Sequence, residues 1–190
     1  MLQFDQVSFA YEKKVVLARF SMRLEQGERL ALMGPSGSGK TTILRLAAGL
    51  LKPISGSIQS TFLPPAVVFQ EPRLFPRLTV FENLAAVQEK SDAEAIRRVL
   101  ALVELGEEES AYPHELSGGM QSRVSLARAL LFPTDFYLFD EPFGALDEAT
   151  RKIVLARVRD FLIEKNAAAI LVTHQKEDAD SFATRTLLLD

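Results

Sequence analysis

The chain contains 190 residues, and its 47% of hydrophobic and 25% of charged residues are the balance of one globular domain with a sizeable core. Its net charge is −3, with 22 Lys and Arg against 25 Asp and Glu and no long basic run, so we expect no nucleic-acid partner bound through a broad basic face. The absence of cysteine excludes disulfides, thiolate metal sites and cysteine nucleophiles.

The sequence carries no pattern typical of a membrane span or of a secretory signal. Its longest uninterrupted apolar run, Ala167 to Val172, is far shorter than the roughly 18 residues that a spanning helix needs. The first residues contain neither a basic region nor a long apolar stretch. The expected compartment is therefore the cytoplasm.

Hydrophobic spacing predicts strands and helices in alternation from the start of the chain. The predicted elements of the first part are an antiparallel hairpin over 2–24, a buried strand over 28–33, a glycine loop over 34–39, a helix over about 40–50, a short strand after the Pro/Ser/Gly segment 53–57, and a strand over 66–69 that ends at Gln70. A strand, a glycine loop and a helix therefore follow one another directly around residues 28–50.

The second part begins with helices and then returns to alternation. Its predicted elements are helices between about 79 and 105 with Gly106 as a stop signal, a mostly helical stretch to 131, strands over 136–139, 168–173 and 186–189, a helix over about 148–165 and a short helix before the last strand. This order predicts an α/β fold with a largely parallel sheet covered on both faces, interrupted by a helical insertion at about 72–130.

A phosphate-binding loop stands between the strand over 28–33 and the helix that follows. It matches G-x-x-x-x-G-K-[ST] through Gly34, Pro35, Ser36, Gly37, Ser38, Gly39, Lys40 and Thr41. The glycines let backbone N–H groups turn toward phosphate oxygens, and the following helix presents its positive end to the same anion. Lys40 is expected to reach the β and γ phosphates and Thr41 to hold Mg²⁺, with Thr42 adding a nearby contact. A flexible loop between any strand and helix is the alternative.

Two acids end the aromatic strand over 136–139. Because ligands gather outside the carboxyl ends of parallel strands, Asp140 is expected near Mg²⁺, with Glu141 one residue further toward the γ-phosphate. Asp140 would then hold the metal, directly or through its water, and Glu141 would accept a proton from the attacking water. Taken alone, two acids at the end of a strand more often form a solvated turn. Their occurrence in the same chain as a phosphate loop favours the interpretation as metal ligand and general base.

A second glycine-containing helix start lies at Leu116–Gln121. Ser117 is placed as an N-cap, and Gly118 and Gly119 allow close backbone approach. The simple interpretation is a capped helix. The alternative is a second anion-binding helix end, which grips a γ-phosphate that the same chain's loop cannot easily share.

The order of these motifs resembles the ATP-binding-cassette ATPase family over nearly the whole chain, from Tyr11 to His174. The resemblance implies a P-loop NTPase fold with a mostly parallel sheet, an N-terminal antiparallel β-subdomain and a helical insertion that carries the signature Leu116–Met120. It implies one domain over 1–190, in which 1–71 and 132–190 form the RecA-like core with the β-subdomain and 72–131 form the helical subdomain.

The resemblance also implies roles for single residues. Tyr11 matches the aromatic that stacks on adenine, and Gln70 the residue that senses Mg²⁺ and the attacking water. Ser117, Gly118 and Gly119 match the signature that contacts the nucleotide of a partner subunit, Asp147 matches a residue that communicates across the dimer, and His174 matches the contact to the γ-phosphate. Each has a simpler alternative: Tyr11 as a surface residue, Gln70 as a strand cap, Asp147 as a helix N-terminal acid and His174 as a loop histidine.

The implied assembly is an ATP-sandwich homodimer, or a heterodimer with a related cassette, which closes on two ATP with Mg²⁺ and opens after hydrolysis. Among family members, the segments 70–76, 112–120 and 140–147 look most like cassettes of bacterial importers of the nitrate, sulfonate and taurine type. Such cassettes imply separate transmembrane permease subunits, an extracytoplasmic solute-binding protein acting through the permease, and a place at the inner face of the plasma membrane. Leu74, Phe75 and Leu78 are candidate contacts to a short permease helix, or they simply pack the helical subdomain.

Two positions depart from the family pattern. Met120 stands where glutamine is most common, and Gln175 follows His174 where aspartate is usual, which would weaken the orientation of that histidine. A soluble switch or scaffold that binds ATP without transport is the alternative function. Glu141 and His174 favour the transport ATPase, because a mere binder needs neither a general base nor a γ-phosphate contact.

Overall fold

In the computed structural model, which describes residues 1–12 and 14–190, strands and helices follow the predicted order. The strands are β1 (Leu2–Tyr11), β2 (Lys14–Leu24), β3 (Arg29–Met33), β4 (Ser55–Ser60), β5 (Ala66–Val68), β6 (Phe136–Asp140), β7 (Ala168–Val172) and β8 (Arg185–Leu188). The helices are α1 (Lys40–Ala47), α2 (Val80–Ala85), α3 (Ala93–Leu102), α4 (Gly118–Leu131), α5 (Glu148–Glu164) and α6 (Lys176–Phe182), with a short 3₁₀ helix at Pro113–Glu115.

An antiparallel sheet with the strand order β2-β1-β4 confirms the predicted N-terminal hairpin and adds a third strand. The buried apolar residues of β1 fall at Leu2, Phe4, Val7 and Phe9, so the alternation slips by one residue between Phe4 and Val7. The strand pairing is irregular at the same place, where Gln6 adopts a φ of 48°. Because a bulge inserts one unpaired residue, all four side chains can face the core.

The second sheet has five strands, in the order β5-β6-β7-β3-β8. β3 pairs in parallel with β7 and with β8, and β6 pairs in parallel with β7. Every residue of β6 and β7 is buried, as expected for parallel strands covered on both faces. The predicted mostly parallel α/β architecture with an N-terminal antiparallel sheet is confirmed.

The chain divides into two units. The first contains Met1–Val67, Thr134–Asp140 and Leu162–Asp190 and holds both sheets, and the second contains Val68–Pro133 and Glu141–Phe161 and holds α2 to α4. The predicted subdomain limits at 72 and 131 stay a prediction. None of the helices in residues 1–12 and 14–190 combines the length and apolarity that crossing a membrane requires.

Two helices end earlier than the hydrophobic pattern predicts. α1 ends at Ala47 because Gly49 turns to a φ of 69°, and the N–H of Leu50 then reaches back to the carbonyl of Arg45. The sequence predicted Gly106 as the stop signal, but α3 already ends at Leu102. Glu104 takes the left-handed conformation instead, with a φ of 58°, and the N–H of Leu105 bonds the carbonyl of Leu100 at 2.8 Å.

Candidate functional site

The loop between β3 and α1 is shaped by glycines with positive φ. Gly34, Gly37 and Gly39 have φ angles of 146°, 84° and 96°. A Cβ on Gly34 would lie 2.3 Å from the carbonyl oxygen of Leu189, and a Cβ on Gly39 would lie 3.1 Å from Cγ1 of Val16. Only glycine therefore fits the two ends of the loop, while Pro35, Ser36 and Gly37 lie exposed at its tip and Ser38 is half-buried.

Lys40 begins α1 and folds its ammonium group back over this loop. It is only 6% exposed, and Nζ donates to the carbonyl oxygens of Gly34 at 2.8 Å and Pro35 at 2.7 Å. The first amides of a helix, here those of Lys40, Thr41 and the buried Thr42, have no acceptor within the helix, and they carry the positive end of its dipole. An ammonium group and a helix N-terminus therefore share one small cradle, which suits a polyphosphate.

Thr41 and Asp140 join α1 to the end of β6. The hydroxyl of Thr41 donates to Oδ1 of Asp140 at 3.2 Å, and Asp140 is only 7% exposed. No group of three or more His, Cys, Asp or Glu within the described residues could hold a metal. Mg²⁺ is usually held by one or two carboxylates together with substrate phosphates, so a hydroxyl and a carboxylate beside a phosphate cradle fit that ion.

Three neighbouring strands bring further predicted site residues of the first unit to one edge of the sheet. Asp140 ends β6 and His174 follows β7 after one residue, while Gly34 directly follows β3. Because β6, β7 and β3 are adjacent and parallel, their carboxyl ends lie side by side. His174 is exposed at this edge.

Tyr11 also belongs to the first unit and ends β1. Its side chain is 42% exposed and packs edge-to-face on Phe9, with ring centroids 4.9 Å apart. Its hydroxyl lies 3.5 Å from Nη1 of Arg45, which donates to it. The ring of Tyr11 is thus held in place by its neighbours while part of it remains exposed, an arrangement that suits stacking on another aromatic ring.

The second unit carries Gln70 and Glu141. Gln70 is exposed two residues after β5. Glu141 follows Asp140 directly, is half-buried and has a φ of 51°. A left-handed glutamate is uncommon, and residues in such conformations concentrate at functional sites.

The second signature glycine, Gly119, packs against the loop that contains Asp147. Ser117 caps α4 as predicted, since its hydroxyl accepts from the N–H of Met120 at 3.2 Å. Gly118 is exposed, and a Cβ on Gly119 would lie 2.8 Å from the carbonyl oxygen of Ala145. The structure therefore brings the signature and the 143–147 turn together within the second unit.

Asp147 caps the start of α5, which is the simpler role that the sequence left open. Its carboxylate accepts from the N–H of Thr150 at 3.0 Å, and hydrogen bonds from Thr150 hold the pKa of Asp147 below its usual value. The side chain is exposed, so capping leaves it accessible to a partner.

Sequence reasoning missed several side chains that hold the candidate site in shape. Thr173 and Asp178, next to His174, are 5% and 6% exposed, and Asn83 and Arg128 support the segment after Gln70. Arg128 offered a signal, since it is a charged residue inside the apolar and small-residue run from Val124 to Leu131. Thr173 follows the end of β7 and Asp178 lies in the first turn of α6, where polar residues are ordinary, and Asn83 lies within the short helix α2.

A glycine loop between a parallel strand and a helix, with a lysine over it and a carboxylate at the end of a neighbouring strand, defines a P-loop nucleotide-binding protein. The family model described as ABC transporter matches residues 17–144. The chain belongs to the ABC transporter family, as its motif order indicates, and it is an ATP-binding cassette with ATPase activity.

Curated relatives agree with that family. The aliphatic sulfonates import ATP-binding protein SsuB of Corynebacterium glutamicum is 44% identical over 95% of this chain and 76% of its own length. SsuB of Bacillus subtilis is 42% identical over 88% of this chain and 69% of its own length. The Fe(3+) ions import ATP-binding protein FbpC 2 of Pectobacterium atrosepticum is 41% identical, and the match covers all of this chain and 60% of that protein.

Solved structures share the fold over the full chain. An ATP-binding cassette solved as a dimer in a post-hydrolysis state with ADP and Pi has a TM-score of 0.89 and 27% identity, covering 100% of this chain and 94% of that one. A bacterial Atm1-family ABC exporter with ATP bound also has a TM-score of 0.89, with 25% identity and 37% of its length covered. A separate cassette and the cassette of an exporter thus share this architecture.

Proposed function

We propose that this cassette drives a bacterial importer, by closing on ATP as a sandwich dimer and hydrolysing it with Mg²⁺. The observation that carries the chemistry is the 3.2 Å hydrogen bond between Thr41 and Asp140, which sets two oxygen ligands beside the phosphate cradle. Import is supported by relatives more than 40% identical that are named import ATP-binding proteins.

Nucleotide binding follows from the loop geometry. The N–H groups over 34–41 and the first turn of α1 would bind the phosphates, and the ammonium of Lys40 would exchange the carbonyls of Gly34 and Pro35 for phosphate oxygens. Tyr11 would stack on adenine with its exposed face. This exchange is favourable because the phosphate oxygens carry full negative charge, whereas the carbonyl oxygens that now bind the buried ammonium are neutral.

Hydrolysis needs a metal ligand set, a base and contacts to the γ-phosphate. Thr41, Asp140 and Gln70 would hold Mg²⁺, directly or through water, and the ion would neutralise charge on the phosphates. Glu141 would accept the proton of the attacking water, which Gln70 helps to orient. His174, exposed at the end of β7, would donate a hydrogen bond to the γ-phosphate.

The second half of each site would come from the other subunit. Ser117, Gly118 and Gly119 begin a 14-residue helix whose N-terminal amides suit the γ-phosphate of a partner's nucleotide. The close packing of Gly119 on Ala145 means that a shift of the signature also moves the turn before Asp147. That contact supports the proposal that Asp147 communicates across the dimer.

The solute path would be formed by separate transmembrane permease subunits, with an extracytoplasmic solute-binding protein acting through them. The proposed place of the cassette is thus the cytoplasmic face of the plasma membrane. Leu74, Phe75 and Leu78 remain the candidate permease contacts, and Phe75 is 50% exposed. An exposed phenylalanine in a segment without regular structure suits a small apolar docking point.

Reconstitution tests transport directly. The cassette is combined in proteoliposomes with a candidate permease, and ATP hydrolysis and solute movement are measured together. We expect Mg²⁺-dependent hydrolysis that the permease stimulates, and we expect Lys40→Ala to abolish both activities because nucleotide affinity falls. If the permease does not change the rate of hydrolysis and no solute moves, the result would instead favour the alternative function, a soluble switch or scaffold that binds ATP without transport.

A further inference from the structure

Arg128 of α4 holds the segment that follows Gln70. Its Nη2 donates to the carbonyl oxygens of Pro72 at 3.3 Å and Arg73 at 3.1 Å. Its guanidinium carbon lies 5.6 Å from the centroid of the Phe75 ring. Burial lowers the pKa of Arg128 from its usual value, and an arginine remains charged under such a shift. One side chain therefore contacts three residues of a segment that has no helix or strand of its own.

Asn83 fixes the rest of the same segment. It is fully buried, and its Oδ1 accepts from the N–H of Phe75 at 2.8 Å. Its Nδ2 donates to the carbonyls of Phe75, Leu78 and Thr79 at 3.1, 3.0 and 2.9 Å. The segment 72–79 is thus held along its length by side chains of α2 and α4, and it is poised to move with those helices rather than independently.

Arg123 offers a matched comparison on the same helix. Its Nη1 donates to the carbonyls of Val103 and Glu104 at 3.1 and 2.7 Å, just beyond the end of α3. Both arginines bind two consecutive backbone carbonyls, but only Arg128 binds the segment next to Gln70. The two side chains therefore separate a general role in packing from a role specific to that segment.

We propose that Arg128 is a positioning residue that couples the two ATP sites of the dimer. The inference rests on the proposed function, in which Gln70 serves the nucleotide of its own subunit while Ser117, Gly118 and Gly119 serve the nucleotide of the partner. α4 runs from the signature to Arg128, a distance of about 15 Å at about 1.5 Å per residue. A movement of the signature on the partner's ATP is carried by this helix to Pro72 and Arg73, and so to Gln70.

The geometry of arginine makes a lysine substitution informative. The planar guanidinium can bind two carbonyls and face an aromatic ring at the same time, whereas a lysine ammonium is a single point on a flexible stem. Arg128→Lys keeps the charge and most of the packing but loosens the link. Arg128→Met keeps the apolar stem and removes every donor, so it gives a second variant if lysine perturbs folding.

The test measures ATP hydrolysis by the purified full chain over a range of ATP concentrations, for the wild type, Arg128→Lys, Arg128→Met and Arg123→Lys. Two coupled sites allow a Hill coefficient above 1 and at most 2. We expect the wild type and Arg123→Lys to remain cooperative, and the Arg128 variants to fall toward a coefficient of 1 while they still bind ATP. Thermal unfolding of each variant checks that the fold is retained.

Two results would overturn this inference. Either the Arg128 variants keep the wild-type Hill coefficient, or Arg123→Lys loses cooperativity to the same extent, which would make the effect general to α4. A wild type that hydrolyses ATP without cooperativity and never dimerises would overturn the proposed sandwich dimer itself. The coupling between two sites would then be rejected together with it.

Discussion

Thr173 illustrates how a buried hydroxyl can orient a neighbouring candidate site residue, here His174. Its hydroxyl accepts from the N–H of Gln175 at 3.1 Å and donates to Oδ2 of Asp178 at a long 3.4 Å, so it spans the backbone on both sides of His174. Gln175 stands where the family usually has aspartate, and its side chain makes no cap hydrogen bond to α6. The hydrogen bonds of Thr173 therefore offer the loop an orientation that does not depend on residue 175.

Thr173→Val is the corresponding prediction. Valine has a similar volume but leaves the half-buried N–H of Gln175 without this acceptor, a loss of about 0.5–1.5 kcal/mol in the local structure. We expect the turnover number for ATP to fall several-fold with little change in KM, and Thr173→Ser to restore it. Steady-state kinetics measure both parameters.

The effect of Thr173→Val is also measured in a His174→Ala variant, which separates a positioning role of Thr173 from a general loss of stability. If Thr173 acts through His174, then adding Thr173→Val to His174→Ala lowers turnover no further, since the two residues form one unit. Effects that multiply instead would show that the hydroxyl supports the fold and not the histidine.

At the scale of single elements, sequence predicted the existence of each helix and strand better than its end. The phosphate loop could be predicted because its glycines, lysine and threonine are contiguous, and the position of Asp140 beside it because parallel strands end at a common edge. The end of α3 could not, because a glutamate rather than a glycine adopts the left-handed turn there. The contacts of Arg128 join residues 55 and 56 positions apart, and no local pattern reports them.

Asp147 gives a prediction about α5. Because hydrogen bonds hold its folded pKa below the unfolded value, the stability it contributes is present above its ordinary pKa of about 3.9 and is lost as the pH falls through the folded pKa. Asp147→Ala should therefore lower the urea midpoint of unfolding at neutral pH, and the difference from the wild type should shrink below about pH 4. A difference that stays constant down to acid pH would mean that the carboxylate charge is not involved.

For the molecule as a whole, the family, the fold and the ATPase activity were within reach of the sequence, because the motifs occur in family order over nearly the whole chain. The roles of the individual site residues stay predictions. They depend on a nucleotide held between two copies, and half of each proposed site belongs to the other subunit. The sandwich dimer is therefore the central claim.

Glu141→Gln tests that claim most directly. Loss of a general base slows hydrolysis by about 10²–10⁴-fold, while the amide leaves the binding site almost unchanged in shape. The mass of the purified variant is measured by light scattering after size-exclusion chromatography, with ATP and Mg²⁺ present or absent. We predict a dimer with ATP and a monomer without it, and Lys40→Ala combined with Glu141→Gln should stay monomeric in both. A Glu141→Gln variant that turns over ATP at the wild-type rate, or that remains monomeric while saturated with ATP, would contradict the account.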